Sequence, residues 1–291
     1  MNTTTKYRAI SPLQEFLAYE ALWDRPNSSF RSLAKELQDY PAQLASTLID
    51  QTMIDKYKKE LLPVIKELPQ FGIRVYGDGE FPQRLKDARY PINILYYQGD
   101  WNLTYLPSVA VVGTRNPTQE GIGRTEYLVR RLVQDNIVIV SGLAKGIDTA
   151  AHTTAIENGG FTIGVIGTPL NRYYPLENQE LQNSIASHHL LISQVPFSRY
   201  LRQTYRENRL FFPERNITMS ALTDATIIVE AGETSGTLIQ AKAALEQGRK
   251  LFILENNFLN PALTWPKKYQ EKGAIRIKDY EEIRKHLSIT T

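Results

Sequence analysis

The sequence predicts an α/β protein with an extended Rossmann-like, doubly wound parallel sheet, preceded by a small all-α N-terminal domain. Short β-branched runs, such as residues 109–112, 137–140 and 225–229, alternate with segments of helical periodicity. Each of these runs ends in a turn of small or hydroxyl residues. Residues 1–70 carry apolar stripes at helical spacing instead. Strands that are apolar throughout belong to sheets covered on both faces, and alternation with helices makes such sheets parallel.

In chain order, residues 1–70 form the expected helical domain and residues 71–291 the Rossmann-like domain. Leu13, Phe16, Leu17, Ala21 and Leu22 give a first stripe, and Pro26-Asn27-Ser28-Ser29 ends it, with Ser28 or Ser29 as an N-cap. Phe30, Leu33, Ala34 and Leu37 give a second. Pro41 starts another helix through Leu44 and Leu48, and residues 55–60 lead into 61–68. These short helices are expected to bury a modest core of their own. Residues 73–76 read as a short strand before the Gly77-Asp78-Gly79 turn. From residue 109 the pattern becomes βαβα, with strands at 109–112, 137–140, 162–166, 190–193, 225–229 and 250–254. The intervening helices fall at 121–134, up to Asn158, 177–187 and 238–247. Gly159-Gly160 and Gly248 supply helix stops.

Composition narrows the function classes. Of the 291 residues, 42% are hydrophobic and 22% charged, which suits a folded protein with a sizeable core. The net charge is only +3, so contact with nucleic acid must come from a local patch. With no cysteine, disulfides, thiolate chemistry and cysteine zinc sites are excluded. His152, His188, His189 and His286 form no metal-binding pattern, so neither a metal nor a cofactor is expected. The N-terminus is polar and no apolar run has the length of a membrane span, so a cytoplasmic location without membrane contact is expected.

The candidate chemistry lies in the turns. Gly113-Thr114-Arg115 follows a strand and precedes a helix, where backbone N–H groups and the helix dipole favour an anion. Arg115 adds a forked, permanently charged donor suited to phosphate. Ser141-Gly142-Leu143-Ala144-Lys145-Gly146 and Ser235-Gly236-Thr237 repeat the recipe, with Lys145 as a second cation. Ligands of doubly wound sheets bind beyond the carboxyl ends of the strands, and several such turns together suit a polyanion or a nucleotide. Between residues 198 and 216, Arg199, Arg202, Arg206, Arg209 and Arg215 are interleaved with Tyr200, Tyr205, Phe211 and Phe212. If helical, the first four arginines would line one face. Cations among aromatics suit a single strand, whose backbone needs charge and whose bases need flat rings. The competing reading is a solvated basic face with Phe211 and Phe212 in the core. His152 stands four residues after Asp148, as a dyad or a structural hydrogen bond; with no accompanying nucleophile the second is favoured.

Taken together, Val-Ala-Val-Val-Gly-Thr-Arg at 109–115, Val-Ser-Gly-Leu-Ala-Lys-Gly-Ile-Asp-Thr-Ala-Ala-His at 140–152, Tyr-Pro-Leu-Glu-Asn at 174–178, Phe-Pro-Glu-Arg-Asn at 212–216 and Ser-Gly-Thr-Leu-Ile at 235–239 carry a resemblance. The sequence resembles the DNA-processing protein A (DprA, also called Smf) family over roughly residues 75–255. The resemblance implies single-stranded DNA binding without catalysis, and loading of the RecA recombinase in natural transformation, or a mobile-element or defence variant of that role. It also implies a homodimer. It assigns the DNA-phosphate pocket to Gly113, Thr114, Arg115, Ser141, Gly142, Lys145, Gly146, Arg215, Asn216, Ser235, Gly236 and Thr237. Arg202, Arg206 and Arg209 would extend the track. Against the family pattern, Ile217 replaces an arginine, Gln194 a glutamate, and Glu255-Asn256-Asn257 a Pro-Gly. Many members continue into a winged helix, which is not expected here.

Two alternatives stand beside this reading. Nucleotide phosphoribohydrolases of the lysine-decarboxylase-like (LOG) family have a related turn whose glutamate works at the ribose. Gln240 occupies that place and cannot ionise, leaving Glu230 or Glu233 as substitutes. A sensor of a small signalling nucleotide would use the same turns. A dinucleotide dehydrogenase is disfavoured, because residues 113–123 lack the Gly-x-Gly-x-x-Gly spacing.

Overall fold

The computed structural model describes residues 10–38 and 44–287. Nine strands among these residues build one sheet: β1 (Gly72–Val75), β2 (Ile94–Gly99), β3 (Ser108–Val112), β4 (Val138–Ser141), β5 (Thr162–Ile166), β6 (Leu190–Ser193), β7 (Ala225–Ile228), β8 (Lys250–Leu254) and β9 (Ile275–Ile277). Their order is β1-β2-β6-β5-β4-β3-β7-β8-β9. β3 to β9 run parallel, and β2 pairs antiparallel with both β1 and β6. The helices are α1 (Pro12–Trp23), α2 (Phe30–Gln38), α3 (Gln51–Lys66), α4 (Gln119–Gln134), α5 (Ile147–Glu157), α6 (Gln179–His188), α7 (Phe197–Arg202), α8 (Tyr205–Asn208), α9 (Phe211–Leu222), α10 (Thr237–Glu246), α11 (Asn256–Leu259), α12 (Trp265–Gln270) and α13 (Tyr280–Leu287).

The β-branched runs become strands because the pleat sends alternate residues to opposite, equally dry faces. Val109 and Val111 pack with Leu128, Leu132 and Ala151 of α4 and α5. Ala110 and Val112 join the other core, with Met219 of α9 and Ala241 of α10. β3 to β7 are buried at every position, so the sheet is covered on both sides as the apolar runs predict. The chain winds outward from β3 through β4 and β5 to β6, then returns to place β7 on the other side of β3. That reversal puts the topological switch point between β3 and β7. β2 and β9 are strands that the sequence pattern does not mark. No helix among the described residues is long and apolar enough to cross a membrane.

The N-terminal helices differ from expectation in one respect: their core is not separate. α1 is buried at every residue from Glu15 to Trp23, as befits a helix inside a core. The Phe16 ring meets Phe71, Tyr96 and Phe197 at centroid distances of 5.6, 5.3 and 6.0 Å. One continuous cluster thus joins α1 to β2 and to the start of α7. Ser29 caps α2, its Oγ accepting from Ser32 N at 3.1 Å. The expected helix start at Pro41 lies outside the described residues; further on, Ala45–Thr47 is a single 3₁₀ turn. Asp50 then opens α3 by accepting from Met53 N at 3.0 Å.

Behind β4, His152 of α5 is wholly buried, with Nδ1 2.7 Å from Thr162 Oγ1. That hydroxyl already donates to Ile139 O, so Nδ1–H is the donor to it. The structural hydrogen bond is therefore to Thr162. Burial pushes the His152 pKa from 6.5 down to about 3. The unfolded chain binds this proton near pH 6.5 and the folded protein only near pH 3, so the stability present above pH 6.5 is lost as pH falls through that window. Buried Glu20 acts in the opposite direction: its pKa is raised to about 7, so it contributes stability below pH 4.5 that is lost as pH rises through 7. His152→Gln keeps a donor to Thr162 and leaves Glu20 in place. Denaturation of parent and variant at pH 7 and pH 5 is expected to show the parent losing about 2 kcal/mol more than the variant. Equal losses would show that His152 takes up no proton on unfolding.

Candidate nucleic-acid interface

An open cleft of about 460 Å³ lies at the carboxyl ends of β3 and β7, where the winding reverses. It is lined by Gly113, Thr114, Arg115 and Ala144, by the start of α10, and by Arg209, Phe212, Pro213 and Asn216. Local hydrogen bonds fix the lining. Thr237 Oγ1 donates to Gly113 O at 3.1 Å, which ties α10 to the end of β3. Ser235 Oγ accepts from Thr237 N at 3.2 Å. Asn216 Nδ2 donates to Gly236 O at 3.2 Å, which ties α9 to the same turn. Arg115 and Arg209 are exposed and have no carboxylate within ion-pair distance among the described residues.

Aromatic rings stand at the rim. Phe212 lies 5.1 Å from Tyr174, centroid to centroid, and a Cβ on Gly167 would sit 2.6 Å from the Phe212 ring. Glycine at 167 is what lets that ring settle over the end of β5. Tyr205 is exposed, and its pKa is raised chiefly by the neighbouring Tyr174 hydroxyl, against the opposing fields of Arg209 and Arg115. Arg115, Arg209 and Phe212 thus line the cleft, and Tyr174 and Tyr205 stand beside them, outside its lining.

The turn after β4 is differently disposed. Asp148, in the first turn of α5, sends Oδ2 back to the amides of Gly142 at 3.2 Å and Ala144 at 3.4 Å. The anion held by this turn is thus the protein's own carboxylate. Arg215 is 4% exposed; its Nη1 donates to Val165 O at 2.6 Å and also to Gly142 O, and its Nε donates to Asn216 Oδ1 at 2.9 Å. Burial lowers the Arg215 pKa to about 10, still well above neutrality. Burial also raises that of Asp148, against the attraction of Arg215. Ser141 is fully buried and donates to Val111 O at 2.7 Å. Gly146, at φ +78°, touches the Gly113–Pro117 stretch: a Cβ there would lie 2.5 Å from Thr114 O.

The structure therefore brings Gly113, Thr114, Arg115, Arg209, Asn216, Ser235, Gly236 and Thr237 to one cleft. Arg215 also borders it, but with its guanidinium spent on carbonyls. Ser141 and Gly142 lie buried beneath. Lys145 is exposed at a distance of 2.5 Å from Glu177, outside the cleft lining. Arg206 is exposed and also outside the lining, and Arg202 faces the N-terminal helices, bound to Asp24 and Glu60. The expected single arginine face does not form. Residues 197–222 are broken into α7, α8 and α9, because Thr204 and Glu207 make a capping box that starts a new helix. The sequence paired Asp148 with His152 and not with the turn amides, and the ring of Tyr174 was not singled out as a site residue. The spacing of Asp148 just after Gly146, at a helix start, is the signal for its contact with the amides.

The carboxylates considered for hydrolysis are occupied. Glu230 accepts from Thr118 N at 3.0 Å and from Thr118 Oγ1 at 2.7 Å. Glu233 accepts from Thr264 N at 2.8 Å, and its pKa is lowered by its bonds to Thr264. Gln240 is buried, with Nε2 3.3 Å from Thr226 Oγ1.

A doubly wound sheet with a cationic, ring-edged cleft at its switch point defines a Rossmann-like protein built to receive an anionic ligand. The chain belongs to the DNA recombination-mediator protein A family, whose family model matches residues 72–288. It is 32% identical over 268 residues to the DNA processing protein DprA of Bacillus subtilis, covering 91% of this chain and 88% of that one. It is 38% identical over 196 residues to DprA of Streptococcus pneumoniae, covering 67% of this chain and 66% of that one. The X-ray structure of the S. pneumoniae protein superposes with a TM-score of 0.66 at 29% identity, covering 94% of this chain and 92% of that one. DprA of Helicobacter pylori, whose structure concerns that protein's single-stranded DNA binding mode, gives 0.64 at 28% identity, covering 76% and 96%.

The glycines separate by what stands over them. A Cβ on Gly142 would come within 2.1 Å of Arg215 Nη1, whereas nothing lies within 4 Å of one on Gly236. In urea denaturation Gly142→Ala is expected to lose stability in the overpacking range of about 1–3 kcal/mol. Arg215→Met, which leaves the buried carbonyls of Gly142 and Val165 without their donor, is expected to lose at least about 1–3 kcal/mol. Gly236→Ala is expected to stay within about 0.5 kcal/mol of the parent. A Gly142→Ala protein as stable as the parent would contradict the buried guanidinium.

Proposed function

We propose that this protein binds single-stranded DNA along the cleft between β3 and β7 as a recombination mediator, without catalysing a reaction on it. The observation that carries this reading is the pairing, in one cleft, of Arg115 and Arg209, which have no carboxylate partner among the described residues, with Phe212, and of these with Tyr174 and Tyr205 beside it. Phosphates would meet the guanidinia and the Ser235–Thr237 turn, and splayed bases would meet the rings. Gly236 opens onto space, so backbone there can approach a phosphate directly. The single-stranded DNA binding of the Helicobacter pylori relative supports the same ligand. The absence of catalysis is supported by Glu230 and Glu233 being bound to Thr118 and Thr264, and by Gln240 standing where a carboxylate would be needed. Homodimerisation, delivery of the strand to the RecA recombinase, and a cytoplasmic location extend the proposal through family membership.

Mobility shifts with oligothymidylates of increasing length, with duplex DNA and with free nucleotides test it. Affinity is expected to rise with length and to be weaker for duplex, because stacking needs exposed bases. Arg115→Gln and Arg209→Gln are each expected to weaken binding and to reduce the salt slope by about 0.7, one phosphate contact on a single strand. Affinity independent of length would favour a nucleotide sensor. Steady release of adenine from AMP would overturn the non-catalytic reading.

A further inference from the structure

The segment that carries Arg209 into the cleft, with Tyr205 beside it, is held from outside the sheet. α7 has no side-chain cap of its own. Glu20 of α1, fully buried, takes that place: Oε1 accepts from Phe197 N and Oε2 from Ser198 N, both at 2.9 Å. Tyr96 donates a third hydrogen bond to Glu20, at 3.2 Å. At the other end of α7, Arg202 is bound by Asp24, the C-cap of α1, and, at 3.0 Å, by Glu60 of α3. Tyr57 of α3 also bonds Asp24 and lies 3.3 Å from Arg202 Nη1. α8 is tied back to α7 by Asn208 Nδ2 on Tyr200 O at 2.9 Å. Phe211, at the start of α9, packs between Trp23 and Phe30, each at a centroid distance of 6.0 Å. Arg209 thus sits between two stretches anchored on α1, α2 and α3.

We infer that the N-terminal helices position the arginine-bearing wall of the cleft, with Arg202 acting as a positioning residue clamped by Asp24 and Glu60 and not as a contact to DNA. The inference rests on the reading of the cleft as a single-strand site. It makes a prediction opposite in sign to simple electrostatics. Removing an acidic side chain near an anion track strengthens binding through charge alone. Removing a clamp weakens it.

The test measures anisotropy of a labelled oligothymidylate with the full chain, as a function of salt. Asp24→Asn, Glu60→Gln and Arg202→Gln are expected each to weaken binding, by roughly fivefold, the scale on which members of one network couple. The triple variant is expected to be no weaker than Arg202→Gln alone, and the salt slope to stay at the parent value. Arg202 and Glu60 are 47% and 38% exposed at the side chain but Asp24 only 12%, so melting curves check that each variant folds, and Glu60→Gln carries the test should Asp24→Asn unfold. The inference is overturned if the two acid variants bind as tightly as the parent or more tightly, or if Arg202→Gln lowers the salt slope by a full contact. Arg115→Gln is the control for the cleft: if it too binds like the parent, the reading of the cleft fails with the inference. If only the clamp variants bind like the parent, the inference alone fails.

Discussion

Arg215 reaches from α9 between the ends of β4 and β5 and gives its guanidinium to two backbone carbonyls, Gly142 O and Val165 O. Across it stands Asp148, whose carboxylate closes the turn after β4 onto itself. Burying either charge alone costs several kcal/mol; together, with their hydrogen bonds satisfied, they are tolerated and fix the geometry around them. The pair decides which side of the switch point stays open. The β4 turn is filled from within, which leaves the β3 turn, the start of α10 and the outer side of α9 to line the open cleft.

The glycines follow the same division. Gly113 and Gly142 lack side chains because Ile147 and Glu230 O press on the first and Arg215 on the second. Gly146 adds a left-handed backbone, at φ +78°, where the β3 and β4 turns touch. Gly232 and Gly236 face open space. Two turns that look alike in composition therefore differ in kind: one is an internal joint and the other an exposed surface.

Much of the fold was legible because β-branched runs such as Ile137 to Val140 have no other stable place than a doubly covered sheet. β2 and β9 were not, since Ile94 to Gly99 mixes tyrosines with a glutamine and Ile275–Ile277 is only three residues long. In the site, the turns of Gly113 and Ser235 and the cation Arg115 followed from local pattern. Arg202, Arg209 and Arg215 looked equivalent in sequence, yet one faces two carboxylates, one faces the cleft and one is buried on carbonyls. Side-chain fate at that level depends on partners more than a hundred residues away, such as Asp24 for Arg202. The break at Thr204 did have a local sign, the Thr-x-x-Glu box.

The unbroken core between α1 and the antiparallel edge of the sheet bears on how such a chain changes over generations. Phe16, Phe71, Tyr96 and Phe197 come from separate stretches but share one set of ring contacts. A new side chain at any of them reshapes the space left for the others. Inheritance of the helical segment is thereby linked to that of β2 and of the stretch after β6. A graft of these helices from a distant relative arrives mismatched unless the four positions travel together.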